Sequence, residues 1–235
     1  MTGTLYGLGV GPGDPDLITL KALRILKSAP VLAYPAPEVG DSLARKIVSP
    51  HLPGTQTEIV IRMPLSAPKF PDDEIYGGAA ASLKEHLAQG RDIAVLCEGD
   101  PFFYGSFMYL FSRMAADYKV EVVPGVSSPM ACAAVLGAPL AAQNDVLTIL
   151  PGPLDTDALR LRLEVTDAAV IIKLGRHFLR IRDLLEDMNL IAQSRYVERA
   201  TMDAERIIPL DEVDPTSSPY FSMILVHRRG QAWLR

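Results

Sequence analysis

Cysteine is nearly absent: Cys97 and Cys132 are the only two among 235 residues. Both sit in apolar runs, too few for a disulfide framework or a Cys-based zinc site, and read as reduced cytosolic thiols. Positive charge is also short, with 23 Lys and Arg against 28 Asp and Glu and a net charge of −5. Neutralising phosphates needs a basic face, so nucleic acid is excluded as the main partner. No apolar run reaches the roughly 18 residues of a membrane-spanning helix. The opening Met1-Thr2-Gly3-Thr4-Leu5-Tyr6 has no basic stretch ahead of an apolar one, so no secretory signal is expected and a cytoplasmic location is. Aromatics make up only 7%, yet 49% of the chain is hydrophobic, ample for a packed core. The length fits one large domain or two modest ones.

The hydrophobic pattern predicts an α/β protein. Thr4 to Val10 reads as a buried strand, and Leu17, Leu20, Leu23 and Leu26 recur at helical spacing, with Asp14 or Asp16 as the expected cap. Strands are expected at Val31–Tyr34, Glu58–Met63, Ile93–Cys97 and Val120–Val123. Helices are expected at Ser42–Val48, Asp72–Gln89 (ended by Gly90) and Gly105–Ala116. This alternation predicts a mostly parallel sheet with helices. Pro124-Gly125 breaks it, which sets a boundary near 123 and predicts domains over 1–123 and 124–235. Beyond it, helices at 127–136, 158–163 and 179–188 and strands at 146–150 and 169–174 are expected. The tail strands at 195–199, 206–210 and 221–227 have no helices between them. Antiparallel pairing and a mixed second sheet follow.

Three loops carry the candidate chemistry. Gly7-Leu8-Gly9-Val10-Gly11-Pro12-Gly13-Asp14 follows a strand, where glycines allow a sharp turn and close ligand approach. It fails the Rossmann spacing: Pro12 stands three residues after Gly9 and Asp14 three after Gly11. No acidic residue ends the next strand, and no Walker lysine follows. On pattern alone, a plain tight turn competes evenly with a ligand loop. Cys97-Glu98-Gly99-Asp100-Pro101-Phe102-Phe103-Tyr104-Gly105 lies at a strand's carboxyl end, where open α/β sheets hold ligands. Its carboxylates and tyrosine offer hydroxyl partners and a proton acceptor; the plainer reading makes Asp100 a helix cap. Val123-Pro124-Gly125-Val126-Ser127-Ser128 joins a strand to a Ser-Ser helix start, whose N–H groups suit an adenosyl or carboxylate group. There, an ordinary N-cap by Ser127 is the plainer reading.

As a set, in this order and spacing, the three loops resemble the tetrapyrrole (corrin/porphyrin) methylases over essentially the whole chain. Gly9 to Ala22 resembles the family's opening signature, Gly99-Asp100-Pro101 with Tyr104-Gly105 its second motif, and Val123 to Ser128 its third. Tyr34-Pro35, Cys97 to Ser106, Lys173-Leu174-Gly175-Arg176 and Tyr220-Phe221-Ser222 resemble the branch acting on precorrin-2 at C20. Uroporphyrinogen methylases typically carry Gly-Gly-Asp-Pro where this chain has Glu98-Gly99-Asp100-Pro101. The resemblance implies two α/β domains with the active site in the cleft between them, a homodimer, and S-adenosylmethionine as methyl donor. It implies cofactor contacts at Pro12, Glu98, Gly99, Asp100, Ser127, Ser128 and Leu174, and at Ala200, Phe221 and Ser222 in the tail.

The implied reaction moves a methyl from sulfonium to a meso carbon of the macrocycle, for which no metal is expected. The enzyme must hold carbon and methyl in line, and a base can remove a proton. Asp100, Tyr104 and His177 are the candidates, in that order; a solvated histidine is the plainer reading of His177. A precorrin is polyanionic, so an acidic protein must gather positive charge locally. The richest basic stretch runs from Lys173 to Arg182, where Arg176 and Arg180, four apart, are the expected carboxylate clamp. Competing readings are another corrin-ring methylase, the same reaction on a cobalt-loaded ring, a protein-directed diphthamide-type methylase, and a non-catalytic nucleotide-binding regulatory domain.

Overall fold

The computed structural model describes residues 2–63 and 73–229. The chain divides into two compact units, Met1–Ser127 and Ser128–Arg235, the division falling just past the break read at 123.

In the first unit, β1 (Leu5–Gly9), β2 (Val31–Pro37), β3 (Thr57–Met63), β4 (Ile93–Cys97) and β5 (Val120–Val123) form an all-parallel sheet in the order β3-β2-β4-β1-β5. Period-two alternation splits its side chains between two faces. Leu5, Val31, Ala33, Ile93, Val95 and Cys97 pack with α3 (Asp73–Ala88) and α4 (Phe107–Met114). Leu8, Leu32, Tyr34, Ala94 and Leu96 pack with α1 (Leu20–Ser28) and α2 (Leu43–Val48). Most of these residues are fully buried, as expected for parallel strands covered on both faces.

Local chemistry sets the helix ends. The expected Asp14 or Asp16 cap of α1 is corrected: Thr19 caps it through Ala22 N–H. Asp14 instead closes a short 3-10 turn at Pro15–Leu17 by accepting from Asp16 N–H. Three residues of 3-10 geometry, Pro15–Leu17, break the leucine periodicity there, so the helix starts at Leu20, three residues later than the first leucine, Leu17. Ser42 caps α2 through Arg45 N–H. Gly90, at φ 78°, ends the helix read from Asp72, which lies outside the described residues.

In the second unit, β6 (Leu147–Pro151), β7 (Ala168–Ile172), β8 (Ser194–Glu198), β9 (Arg206–Ile208) and β10 (Ser222–His227) form a sheet ordered β6-β7-β10-β8-β9. β6 and β7 are parallel, while β10 runs antiparallel to β7 and β8, and β9 to β8. This is the mixed sheet expected from the helix-free tail. One face packs against α6 (Thr156–Glu164) and α7 (Phe178–Asp187), and the other carries Cys132 of α5 (Ser128–Leu136).

Candidate functional site

Strand directions gather the candidate residues on one edge of each sheet. In the first unit all five strands are parallel, so the loops after β1, β4 and β5 emerge together. The chain leaving β1 crosses to β2 on the α1 face, and that leaving β4 crosses to β5 on the α4 face. Neighbouring strands whose connections part in opposite directions mark the switch point of an open sheet, its usual ligand crevice.

The three glycine loops meet there and interlock through backbone. Gly11 and Gly99 form an antiparallel bridge, Gly99 N–H donating to Gly11 O at 2.8 Å. A Cβ on Gly125 would stand 2.0 Å from Gly99 O and 2.7 Å from Gly9 Cα. Real Cβ atoms never come that close, so glycine is required at 125 by the neighbouring loop itself. Gly99 is left-handed, at φ 64°. Pro12 and Gly99 are buried within this junction.

Asp100 is the staple of the junction. Its Oδ2 accepts from Gly125 N–H at 3.0 Å, and its Oδ1 from Phe102 N–H at 2.9 Å. The plainer sequence reading, a cap on α4, is corrected, because α4 begins after Ser106 and has no side-chain cap. The same turn pushes Tyr104 into the left-handed region, φ 55°, with its ring half-exposed and edge-on to Phe103 at 5.1 Å. A left-handed tyrosine stores strain of about 1 kcal/mol or more, and such residues cluster at ligand sites.

Glu98 turns the other way. Its Oε1 accepts from Ala44 N–H at 3.1 Å, in the first turn of α2. Burial pushes its carboxyl pKa up, against a smaller lowering by backbone N–H groups. α2 is held a second time by Arg45, which grips Glu58 of β3 bidentately, and Glu58 also accepts from Tyr34 O–H at 2.6 Å. Arg45 draws the Glu58 pKa down.

In the second unit, the carboxyl ends of β6, β7 and β8 share an edge with the amino end of β10. That edge brings together Gly152, the 173–176 segment, Ala200, Phe221 and Ser222. Leu174, Ala200 and Ser222 are buried, while Phe221 and its edge-on neighbour Tyr220 are 44% and 60% exposed. Lys173, Arg199 and Thr201 are all left-handed. A Cβ on Gly175 would meet only Tyr220 Cα, at 3.8 Å, so space opens above it. Ser127 precedes, and Ser128 begins, α5.

The two expected clamp arginines differ. Arg176 lies in a 3-10 turn at Gly175–His177 ahead of α7 and is exposed, its guanidinium hydrogen-bonded to no described residue. Arg180 spends its guanidinium on Gly152 O at 2.6 Å, Leu154 O at 2.8 Å and Thr156 Oγ1 at 3.1 Å. It fixes the loop between β6 and α6. Both arginines line one open pocket of about 410 Å³, together with Thr156, Leu179, Asp183 and Asp187. Burial, then the neighbouring charges of Arg176 and Arg180, lower the His177 pKa. Asp100 and Tyr104 thus share one loop of the first unit, whereas His177, Arg176 and Arg180 belong to the second.

A buried polar group on the second edge escaped the sequence reading. Glu198, 1% exposed, accepts from Tyr196 O–H at 2.9 Å and neighbours Ser222 on β10. The alternation of β8 carried the only signal: Tyr196 and Glu198, two apart, face the same side. Among the described residues, no group of three or more His, Cys, Asp or Glu side chains is placed to hold a metal ion, and no helix is long and apolar enough to cross a membrane.

Loops interlocked at the carboxyl edge of a parallel sheet, without dinucleotide spacing and in a chain whose second unit holds a mixed sheet, define a class of α/β ligand-binding proteins apart from the Rossmann enzymes. The chain belongs to the tetrapyrrole (corrin/porphyrin) methylases, whose family model matches residues 4–214. It is 40% identical over 232 residues to the precorrin-2 C(20)-methyltransferase of a Sinorhizobium species, covering 95% of each chain. It is 35% identical to the cobalt-precorrin-2 C(20)-methyltransferase of Salmonella typhimurium, covering 98% of this chain and 99% of that one. It is 41% identical to the cobalamin biosynthesis protein CobIJ of Mycobacterium tuberculosis over 95% of this chain, but spans only about half, 46%, of that relative's length. Among solved structures, the uroporphyrin-III C-methyl transferase of Thermus thermophilus complexed with S-adenosylhomocysteine matches at a TM-score of 0.68 and 25% identity, covering 95% of this chain and 97% of that one.

Proposed function

We propose that this protein transfers a methyl group from S-adenosylmethionine to C20 of precorrin-2, giving precorrin-3A in cobalamin biosynthesis, as a cytoplasmic homodimer. The observation that carries this reading is the 40% identity, over 95% of both chains, to a relative named for that reaction. The relative named for the cobalt-loaded ring stands lower, at 35%, and favours the metal-free substrate here. Glu98 in place of a second glycine supports a step later than uroporphyrinogen methylation.

The residues present fit the cofactor. The second edge offers the half-exposed Phe221 ring beside Ala200, and the start of α5 offers N–H donors at Ser127 and Ser128. Pro12, Gly99 and Leu174 supply backbone surface for close approach. Bound S-adenosylmethionine supplies a methyl group on a sulfonium, already a strong electrophile. The chain's own task is to orient the ring carbon toward it and to accept a proton. Asp100 is the proton acceptor we assign: each oxygen spends one lone pair on a backbone N–H and keeps another. Tyr104 stands in the same loop as the next candidate, followed by His177, whose lowered pKa keeps its ring neutral at physiological pH. Arg176 meets a substrate carboxylate directly, while Arg180 holds the adjoining loop and lines the same pocket.

The test is titration calorimetry with S-adenosylhomocysteine, NAD and ATP, followed by radiolabelled methyl transfer to precorrin-2 and to its cobalt complex. Binding of S-adenosylhomocysteine alone, with transfer to the metal-free ring, is expected. NAD or ATP binding without it would install the nucleotide-binding regulatory reading instead. Light scattering, expected to report twice the 25.6 kDa chain mass, checks the dimer.

A further inference from the structure

Glu198 is a carboxylate that the reaction does not use, and its burial needs a reason. Its side chain is 2% exposed, yet its cations, Arg199 at 3.6 Å and Arg206 at 3.5 Å, are themselves 39% and 61% exposed. A buried carboxylate so loosely paired is costly unless hydrogen bonds hold it. Besides a long bond from Arg206 Nη1 at 3.5 Å, it accepts at 2.9 Å from Tyr196 O–H, whose ring is buried and stacked edge-on to Phe178 at 5.2 Å. With its one hydrogen committed to Glu198, Tyr196 accepts from Ser218 Oγ at 3.0 Å. Ser218 Oγ lies 3.2 Å from Ser222 Oγ, and Ser222 donates to Pro219 O at 2.6 Å. Desolvation pushes the Tyr196 pKa up to about 12, so the hydroxyl stays a donor throughout the working range.

This chain of groups joins two segments distant in sequence. One is Glu198–Thr201, where left-handed Arg199 turns the backbone so that Glu198 lies on the α7 face while Ala200 packs into the cluster around Cys132 on the other. The second is Ser218–Ser222, which presents Tyr220 and Phe221 to solvent. Arg199 N–H donates to Phe221 O at 2.7 Å, continuing the β8–β10 register in which Glu198 pairs with Ser222.

We infer that Glu198, through Tyr196 and Ser218, is a positioning residue that fixes the 199–201 turn and the 218–222 segment in the conformation that receives the adenosyl group. The inference rests on the methylase reading above. It makes the affinity for the cofactor, rather than the chemistry of transfer, the property that the network controls.

The experiment measures S-adenosylhomocysteine Kd by calorimetry and Tm by thermal melt on the full chain. Glu198→Ala is expected to raise Kd roughly tenfold, and Tyr196→Phe and Ser218→Ala by several-fold, in keeping with loss of a buried hydrogen bond. Glu198→Gln, which keeps an acceptor for the tyrosine, should recover most of the affinity. Leu163→Ala, a truncation of the fully buried α6 core in the same unit, should lower Tm while leaving Kd within about twofold. If Glu198→Ala does not fold, Tyr196→Phe and Ser218→Ala decide on the same criterion. Wild-type Kd values in these variants would overturn the inference and leave the methylase reading standing. Equal weakening by Leu163→Ala would also overturn it, by reducing Glu198 to general stability. A wild-type chain that binds no S-adenosylhomocysteine would remove both.

Discussion

Replacing Asp100 by Asn separates two roles that one carboxylate combines. The side chain receives Gly125 N–H on one oxygen and Phe102 N–H on the other. An amide can satisfy only one of these donors; its NH2 group faces the second, donor against donor. A hydrogen bond to a charged group contributes about 1.5–3 kcal/mol, so Asp100→Asn should cost about 2 kcal/mol. For a chain of this size, each kcal/mol lowers Tm by about 2–4 °C, which gives a fall of about 4–8 °C. Asp100→Ala loses both bonds and should fall further. Because the staple joins the loops after β4 and β5, affinity for S-adenosylhomocysteine should weaken several-fold in both variants. If Asp100 also accepts the proton, turnover at saturating cofactor should drop by about 10²-fold or more. Melts, calorimetry and single-turnover rates on one preparation give all three values. An unchanged Tm would refute the staple. A rate within a few-fold of wild type would remove Asp100 from the reaction.

Four further outcomes follow from the same geometry. Gly125→Ala places a methyl 2.0 Å from Gly99 O, so it should destabilise more than Asp100→Asn and abolish cofactor binding; a wild-type melt would contradict the interlock. Glu98→Gln should raise Tm at pH 8. Burial lifts the Glu98 pKa above its unfolded value, so its ionisation costs stability as pH rises through the folded pKa, and the gain over wild type should vanish toward pH 4. Arg176→Ala should raise the substrate KM with little change in Tm, and the wild-type KM should rise with salt, since exposed charge pairs are screened. Arg180→Ala should lower Tm as well as raise KM, because it releases Gly152 O and Leu154 O; equal KM and Tm in both variants would place the clamp elsewhere.

Much of this architecture was legible in the residues. Short apolar runs and leucine spacing marked the strands and helices because burial on one or two faces leaves a period that survives in sequence. The helix-free tail from Arg195 correctly implied antiparallel pairing. What escaped was long-range. Gly9 and Gly125 read as ligand-loop glycines, whereas each is also required by the backbone of the other and of Gly99, a constraint set by contacts between separate loops that no local pattern encodes. Asp100 looked like a cap because a helix follows it, but its partner is Gly125 N–H on another loop. Arg180 read as half of a substrate clamp because its carbonyl partners, Gly152 and Leu154, lie on the far side of β7 in sequence, in the loop after β6. Glu198 was hidden for the same reason: Tyr196 and Ser218 are 22 positions apart and meet only once β8 and the segment before β10 are paired.

The central claim is the position of the transferred methyl, and one measurement addresses it directly. Precorrin-2 is incubated with the protein and S-adenosylmethionine carrying a carbon-13 methyl, and the product is read by NMR. A single new labelled methyl on C20, the meso position of the ring, is expected. Label at any other carbon would assign the chain to a different corrin methylase, and no label in the ring, with the cofactor bound, would contradict methylation of precorrin-2 altogether.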